Sequence, residues 1–329
     1  MTAPEASALR ASPSLAILRA ALTRQIVWIA ILVLIVSAAL LSPAFLTPIN
    51  LLNVVRQASV VGIAAVGLTY VVLVRGVDVS IAGVITAAAT LAAGIMNGSD
   101  ANIPLAVGAA VALGLAVGLF NGVLVTRNVH PFILTLGVGV ALLGATQLYT
   151  GGTSLGNPAP SFRAVLNARI DAVPVLAVVF LAIGAVGIAV LRWTRFGHRL
   201  VLVGANPRAA YLSGIRVHAH TIAAYAISGF TASLAGLALL ARSGPPSNFT
   251  GMGLEFEALA AVILGGTTFA GGIGGVGGSM AGALALMLAF NMVNILGFPF
   301  SAQQLVRGAV IIVIAAIYAM TQREVTEGE

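Results

Sequence analysis

Two asparagines within one apolar segment have the residue type and spacing needed to present amides to a polar solute. Asn291 and Asn294 are three residues apart, so both side chains lie on one face of a helix. Asn121 has a related setting in an earlier segment, where Phe-Asn-Gly-Val parallels Phe-Asn-Met-Val. The pattern predicts either a polar lining for a solute path or hydrogen bonds between membrane helices.

The acidic residues offer little for catalysis or ion coupling. Of the nine, only Asp78, Glu255 and Glu257 lie beside apolar segments, and each precedes or opens a helix whose N-terminus it is expected to cap. Every basic residue counted as lysine or arginine is an arginine, and there is no cysteine. P-loop ATP hydrolysis, Schiff-base chemistry, thiolate catalysis and cysteine metal sites are therefore excluded. The sequence predicts no catalytic residue, no metal and no cofactor.

Glycine placement indicates packing rather than nucleotide binding. Gly114, Gly118 and Gly122 recur every fourth residue, the spacing that lets two membrane helices approach closely. The glycine-rich run 271–278 contains a formal G-x-G-x-x-G, but no strand precedes it and no acid follows about 20 residues on. We expect this run to be a break between two short helices, buried in protein or lining a cavity.

Apolar segments fill most of the chain and must position these residues. Hydrophobic residues make up 59% of the 329 residues, charged residues only 8%, and the mean hydropathy is +1.07. Soluble domains carry roughly 25% charged residues, so the composition predicts an all-α polytopic membrane protein. About ten segments approach the length of about 20 residues that a transmembrane helix needs. They are 26–46, 57–74, 79–96, 103–126, 131–149, 172–191, 219–241, 255–270, 278–297 and 302–320.

The arginines predict the orientation of these spans. Most of them face inward if the chain starts in the cytoplasm, so both termini are predicted to be cytoplasmic. The net charge of +7 is thus explained by arginines in the predicted cytoplasmic loops and does not indicate a nucleic-acid partner. The predicted organisation is a tail of residues 1–25, one transmembrane domain of residues 26–320 and a tail of residues 321–329. Spans two to five and seven to ten start on opposite faces, which predicts an inverted repeat.

The predicted cytoplasmic loop 192–220 contains a helix signal at about residues 204–216. Asn206 before Pro207 is typical of an N-cap followed by proline at the first helical position, and Gly214 is expected to end the helix. Small residues at the centre of this helix favour docking to a partner protein over insertion into lipid headgroups. The candidate docking residues are Gly204, Asn206, Pro207, Arg208, Ala209, Ala210, Ser213 and Gly214.

Several motifs occur together and in order. They are Arg75–Gly83, Asn121–Thr126, Pro131–Gly137, Leu212–Ile215, Ser228–Gly229, Glu255–Thr267 and the glycine run that continues to Asn291. With them the chain resembles, over about residues 50–320, the permease subunits of bacterial ABC importers for monosaccharides, of the ribose, xylose, galactofuranose and autoinducer-2 type. One departure is Arg75-Gly76-Val77, where that family often has two glycines and an isoleucine before the aspartate.

The resemblance implies a type II-like ABC importer permease in the bacterial inner membrane, with an inverted repeat of two five-helix halves. It implies three protein partners: a cytoplasmic ATPase subunit that docks on the helix at 204–216, a periplasmic sugar-binding protein, and a second permease copy or paralogue. Asn121, Asn291 and Asn294 would then line a possible sugar path, and the chain itself would catalyse nothing. Two alternatives stay open: a permease for branched-chain amino acids, and a facilitator that moves solute without nucleotide.

Overall fold

A computed structural model provides the coordinates of the chain. It describes residue 36 and residues 42–299, 301–310 and 312. Both predicted tails, 1–25 and 321–329, lie outside the described residues, as does most of the predicted first span, 26–46.

The described residues are mostly helical, because long apolar runs punctuated by glycine, proline and asparagine satisfy their backbone groups within each segment. A single turn of 3-10 helix, Asp100–Asn102, leads into the third α-helix, and a short antiparallel hairpin pairs Arg169 with Pro174. In chain order the elements are α1 (Pro48–Leu73), α2 (Ile81–Met96), α3 (Ile103–Val125), α4 (Pro131–Thr150), α5 (Pro160–Asn167), β1 (Arg169–Ile170), β2 (Val173–Pro174), α6 (Val175–Trp193), α7 (Arg195–Ala205), α8 (Pro207–Leu212), α9 (Val217–Ser243), α10 (Leu254–Leu264), α11 (Val276–Ile295) and α12, whose described part is 301–310.

Six helices of the described chain are long and apolar enough to cross a membrane, namely α1, α3 with its 3-10 turn, α4, α6, α9 and α11. Each overlaps a span predicted from hydropathy. The all-α polytopic class is thereby confirmed.

Two predicted spans form shorter helices than the sequence indicated. The run 79–96 forms the 16 residues of α2, and the run 255–270 forms only the 11 residues of α10. At 1.5 Å per residue these helices are about 24 and 16 Å long, short of the roughly 30 Å hydrocarbon core of a bilayer. The prediction for 255–270 was wrong about the helix end, because Gly265 caps α10 and Gly266 turns away with φ +82.

The order of helix lengths repeats along the chain. Helices α1, α2 and α3 have 26, 16 and 23 residues, and α9, α10 and α11 have 27, 11 and 20. The first helices of the two sets run in opposite directions. Asn167 joins the start of α1 to the end of α9. Its side-chain oxygen accepts a hydrogen bond from the Arg56 guanidinium, and its NH₂ group donates one to the carbonyl oxygen of Ala241. The end of α1 lies against Gly204 of α7, and Phe196 of α7 stacks on His220 in the first turn of α9. This is the arrangement expected of an inverted repeat.

Helices α3 and α9 approach each other along the predicted glycine stripe. A Cβ atom on Gly114 would overlap the carbonyl oxygen of Gly229, and one on Gly118 would overlap the carbonyl oxygen of Tyr225. A Cβ atom on Gly122 would lie 2.7 Å from the Ile222 backbone. The prediction of close helix packing is confirmed, because only glycine leaves room for the facing backbone.

Gly118→Val is expected to destabilise the bundle by about 2 kcal/mol, because the new side chain must push α9 away from α3. The matched control is Gly108→Val in the same helix, where a Cβ would meet no atom within 4 Å. Thermal unfolding of the detergent-solubilised proteins, followed by size-exclusion chromatography, measures the difference. Equal melting temperatures for the two variants would contradict this account of the stripe.

Candidate coupling loop and solute path

The loop between α6 and α9 is built by two helix caps that follow directly from its sequence. The Thr194 hydroxyl accepts a hydrogen bond from the Gly197 amide at 3.1 Å, which starts α7. The Asn206 side chain accepts one from the Ala209 amide at 3.0 Å, with Pro207 at the first position of α8. Gly214 follows with φ +77. The start and stop signals of α8 were read correctly, but Gly204 belongs to α7, because the extended backbone of Asn206 separates the two helices.

Helix α8 turns large apolar side chains away from the protein. Tyr211 is 71% exposed and Leu212 is 77% exposed, and Arg208 and Ala209 are exposed beside them. Ala210, in contrast, is only 5% exposed, so it is not the protruding docking residue that its small size suggested. At about 100° per residue, positions 208, 209, 211 and 212 lie on one side of the helix, and Ala210 points to the opposite side, towards the protein.

A shallow apolar groove runs between α7 and α8. Leu202, Ala205 and Ile215 line it, and Ala210 forms part of its floor. Leu202 is 53% exposed at its edge. Exposed aromatic and aliphatic side chains beside a groove are typical anchors of protein interfaces. Tyr211 and Leu212 were not among the predicted docking residues, because the loop holds other large apolar residues, such as Phe196 and Leu200, and its sequence does not single these two out.

A second site is buried near the same end of the bundle, around Asp78 in the turn between α1 and α2. Its carboxylate is 2% exposed and accepts three hydrogen bonds. The Ser80 amide and hydroxyl donate to one oxygen at 3.1 and 2.5 Å, and the Ser228 hydroxyl of α9 donates to the other at 2.7 Å. Burial raises the pKa of the Asp78 carboxyl, and the hydrogen bonds from the serines oppose that rise. Asp78 thus satisfies an amide ahead of α2, as expected, and also joins α2 to α9.

Two further motifs reach this buried cluster. The Asn121 amide donates to the Ser80 hydroxyl at 2.8 Å, which brings in α3. The Val79 amide donates to the Thr135 hydroxyl at 3.0 Å, which brings in α4. Four of the sequence motifs therefore meet at one point, although they are far apart in the chain. We call Asp78, Ser80, Asn121, Thr135 and Ser228 the Asp78 cluster.

The three asparagines predicted for a solute path do not come together. Asn121 is fully buried in the Asp78 cluster. Asn291 lies towards the other end of the bundle, where it exchanges two hydrogen bonds of 2.9 Å with Asn50 of α1 and is 6% exposed. Asn294 is exposed and accepts a hydrogen bond from Gln303 at 3.3 Å. The structure favours interhelical hydrogen bonding for Asn121 and Asn291, which was one of the two roles considered.

An ion pair ties α10 to α12. The Arg307 guanidinium lies 3.1 Å from the Glu257 carboxylate and 5.0 Å from the centre of the Phe290 ring. Glu257 lies in the first turn of α10, where a helix favours negative charge, but its carboxylate pairs with Arg307 and does not form the predicted cap of the helix N-terminus. Among the described residues no group of three His, Cys, Asp or Glu side chains is arranged to hold a metal ion.

Comparison with known proteins assigns the chain to a family. The family model described as "Branched-chain amino acid transport system / permease component" matches residues 50–315. The ribose import permease protein of Escherichia coli strain K12 is 39% identical over 298 residues, which cover 88% of this chain and 91% of that protein. The ribose import permease protein of Bacillus subtilis strain 168 is 32% identical over 290 residues, covering 87% and 89%.

A third relative is named for a different sugar. The galactose/methyl galactoside import permease protein of Escherichia coli strain K12 is 29% identical over 310 residues, covering 88% of this chain and 92% of that protein. No solved structure matches the chain. With the family model matched over most of the chain and six helices able to cross a membrane, the chain is a multi-pass membrane protein that belongs to this family of transport-system permease components.

Proposed function

We propose that the chain is the transmembrane permease subunit of an ATP-driven ABC importer for a monosaccharide of the ribose type. The observation that carries the substrate class is the 39% identity to a ribose import permease protein over 88% of the chain, against 29% to a galactose permease. Because the chain has no lysine and hence no P-loop, a separate ATPase subunit must supply ATP hydrolysis.

The two alternatives have less support. The description of the family model names branched-chain amino acids, but the relatives compared above are named for ribose and galactose. A facilitator that works alone has no use for Tyr211 and Leu212, which expose apolar surface on a loop rich in arginine. We therefore favour the importer.

The proposed assembly uses both ends of the bundle. The ATPase subunit docks in the cytoplasm on the outward face of α8, where Arg208, Ala209, Tyr211 and Leu212 are exposed and Asn206 holds the helix start. A periplasmic sugar-binding protein meets the other end, and a second permease copy or paralogue completes the pore in the bacterial inner membrane. Both tails of the chain lie in the cytoplasm in this arrangement.

The proposed transport step changes no covalent bond of the sugar. ATP binding closes the ATPase pair and displaces α8, and the helices anchored to that loop open the path to one side and then the other. Asn294 is the predicted path residue that is exposed on this chain, so it is our candidate for contact with sugar hydroxyls. Asn121 and Asn291 hold the helices around the path through their hydrogen bonds.

Co-purification tests this proposal. The chain, tagged, is expressed with the ATPase and binding protein encoded beside it and isolated in detergent. We expect the ATPase to be recovered and its hydrolysis to be stimulated by the binding protein loaded with ribose, but not by leucine or valine. Recovery of the chain alone, with solute movement that needs no nucleotide, would establish the facilitator instead.

A further inference from the structure

Arg75 binds the end of the helix that leads into the proposed docking helix. Its Nε donates to the carbonyl oxygen of Gly204 and its Nη2 to that of Ala205, each at 2.6 Å. Carbonyl groups in the last turn of a helix have no partner within the helix, and the helix dipole makes that end negative. The guanidinium therefore caps the C-terminus of α7, one residue before the Asn206 cap of α8.

The backbone of Arg75 is held in an unfavourable conformation. Its φ is +65, and the other described non-glycine residues with positive φ are Asn97, Asn128 and Asp171. Asparagine and aspartate tolerate this left-handed region, whereas an arginine adopts it only against the steric repulsion between its Cβ and the backbone. Strain of this kind persists where the surrounding structure demands it and often at functional sites. In this backbone conformation the Arg75 side chain makes its two hydrogen bonds to the end of α7.

The backbones around Arg75 meet without side chains between them. The Gly272 amide donates to the Leu73 carbonyl oxygen at 2.9 Å, and a Cβ on Gly204 would overlap that same oxygen. A Cβ on Gly272 would lie 2.8 Å from the Ala205 backbone. The end of α1, the end of α7 and the glycine run before α11 thus form one close-packed joint. Close-packed contacts transmit displacement instead of absorbing it.

Arg75 is also directly connected to the Asp78 cluster, three residues further along the same turn. There Asp78 bonds Ser80 ahead of α2 and Ser228 of α9. The turn 74–80 therefore joins the loop that carries α8 to four helices of the bundle, namely α2, α3, α4 and α9. Arg75 thus links the end of α7 directly to the turn that carries Asp78.

We propose that Arg75, which stands where the family often has a glycine, is in this chain a positioning residue that couples movement of the docking helix α8 to the transmembrane helices. This inference rests on the proposed function, since it presumes an ATPase on α8. Without the guanidinium, α7 and α8 keep their own caps and their exposed face, so the ATPase still docks and hydrolyses ATP. The backbone joint and the direct chain connection from α8 to α9 remain, but movement of α7 is passed to the turn 74–80 less completely, and less sugar is transported per ATP hydrolysed.

The test measures sugar transported per ATP hydrolysed in proteoliposomes that hold the complete complex. Arg75→Gly removes both bonds and relieves the strained φ, and we expect the ratio to fall severalfold while ATPase recovery stays at the wild-type level. Arg127→Gly is the matched control, because Arg127 is exposed and has no described side-chain partner. The control should keep the wild-type ratio.

The remaining outcomes distinguish a failure of this inference from a failure of the proposed function. A wild-type ratio in Arg75→Gly overturns the inference, as does loss of ATPase capture by a folded variant, which would make Arg75 an anchor for docking alone. If Arg75→Gly does not fold, Arg75→Gln decides by the same ratio, since it keeps a long side chain and removes the charge and the forked donor. If the wild-type chain itself recovers no ATPase, the proposed function fails instead.

Discussion

Asp78→Ala is expected to prevent the bundle from assembling, with loss of sugar uptake as a consequence. The buried carboxylate accepts bonds from the Ser80 amide, the Ser80 hydroxyl and the Ser228 hydroxyl. Hydrogen bonds to a charged group contribute roughly 1.5–3 kcal/mol each, and donors left buried without an acceptor add their own cost. We expect a loss of at least about 3 kcal/mol in the free energy of unfolding.

The yield of monodisperse protein and its melting temperature in detergent measure this effect. Asp78→Asn should be milder, because the amide keeps the shape and one acceptor oxygen, and the Ser228 hydroxyl can rotate to accept a bond from the new NH₂ group. Asp171→Asn is the matched control, since it makes the same change at an exposed position. An Asp78→Ala protein that melts at the wild-type temperature would show that the cluster does not hold the helices together.

Leu212→Glu is expected to detach the ATPase subunit, with at least a tenfold loss in its recovery. Leu212 is 77% exposed, so the substitution leaves the fold of this chain intact, but a partner seated on α8 would have to bury the new carboxylate. Truncating or charging a central apolar anchor of an interface commonly costs 2 kcal/mol or more, roughly thirtyfold in affinity. Tyr211→Ala tests the neighbouring anchor and should weaken capture in the same direction.

The control for this prediction introduces the same charge towards the other end of the bundle. Val165 of α5 is 60% exposed, and Val165→Glu should leave ATPase recovery unchanged. Normal recovery with Leu212→Glu would place the docking surface elsewhere. Ala210→Glu cannot replace this experiment, because Ala210 is 5% exposed and a charge there would disturb the loop itself.

Features set by residues close together in the chain could be predicted well. The Asn206 cap and the Gly214 turn depend on a few neighbouring residues, and the hydropathy of the long spans depends on windows of about 20 residues. The glycine stripe of α3 predicted a close helix contact for the same reason, since the spacing of its residues defines one face. The partner on that face, α9, was not predictable from the stripe.

Features set by partners distant in sequence could not be predicted. Nothing beside Asp78 indicates that Ser228 completes its hydrogen bonds, and nothing beside Arg75 indicates that it caps α7. The three asparagines Asn121, Asn291 and Asn294 show most clearly what the sequence alone cannot decide. Their types suited both a solute path and interhelical bonds, and the neighbours brought in by folding decide between the two for Asn121 and Asn291.

The sequence by itself therefore determined that this protein is a helical membrane protein, where its long helices run, and how the loop between α6 and α9 begins and ends a short helix. Local propensity, capping and the thickness of a bilayer are sufficient for those conclusions. Only the tertiary structure decided which face of α8 is exposed, which polar groups are paired, and that Arg75 joins the loop to the bundle. Those properties depend on which surfaces are buried against each other, and burial is a property of the packed chain rather than of any segment within it.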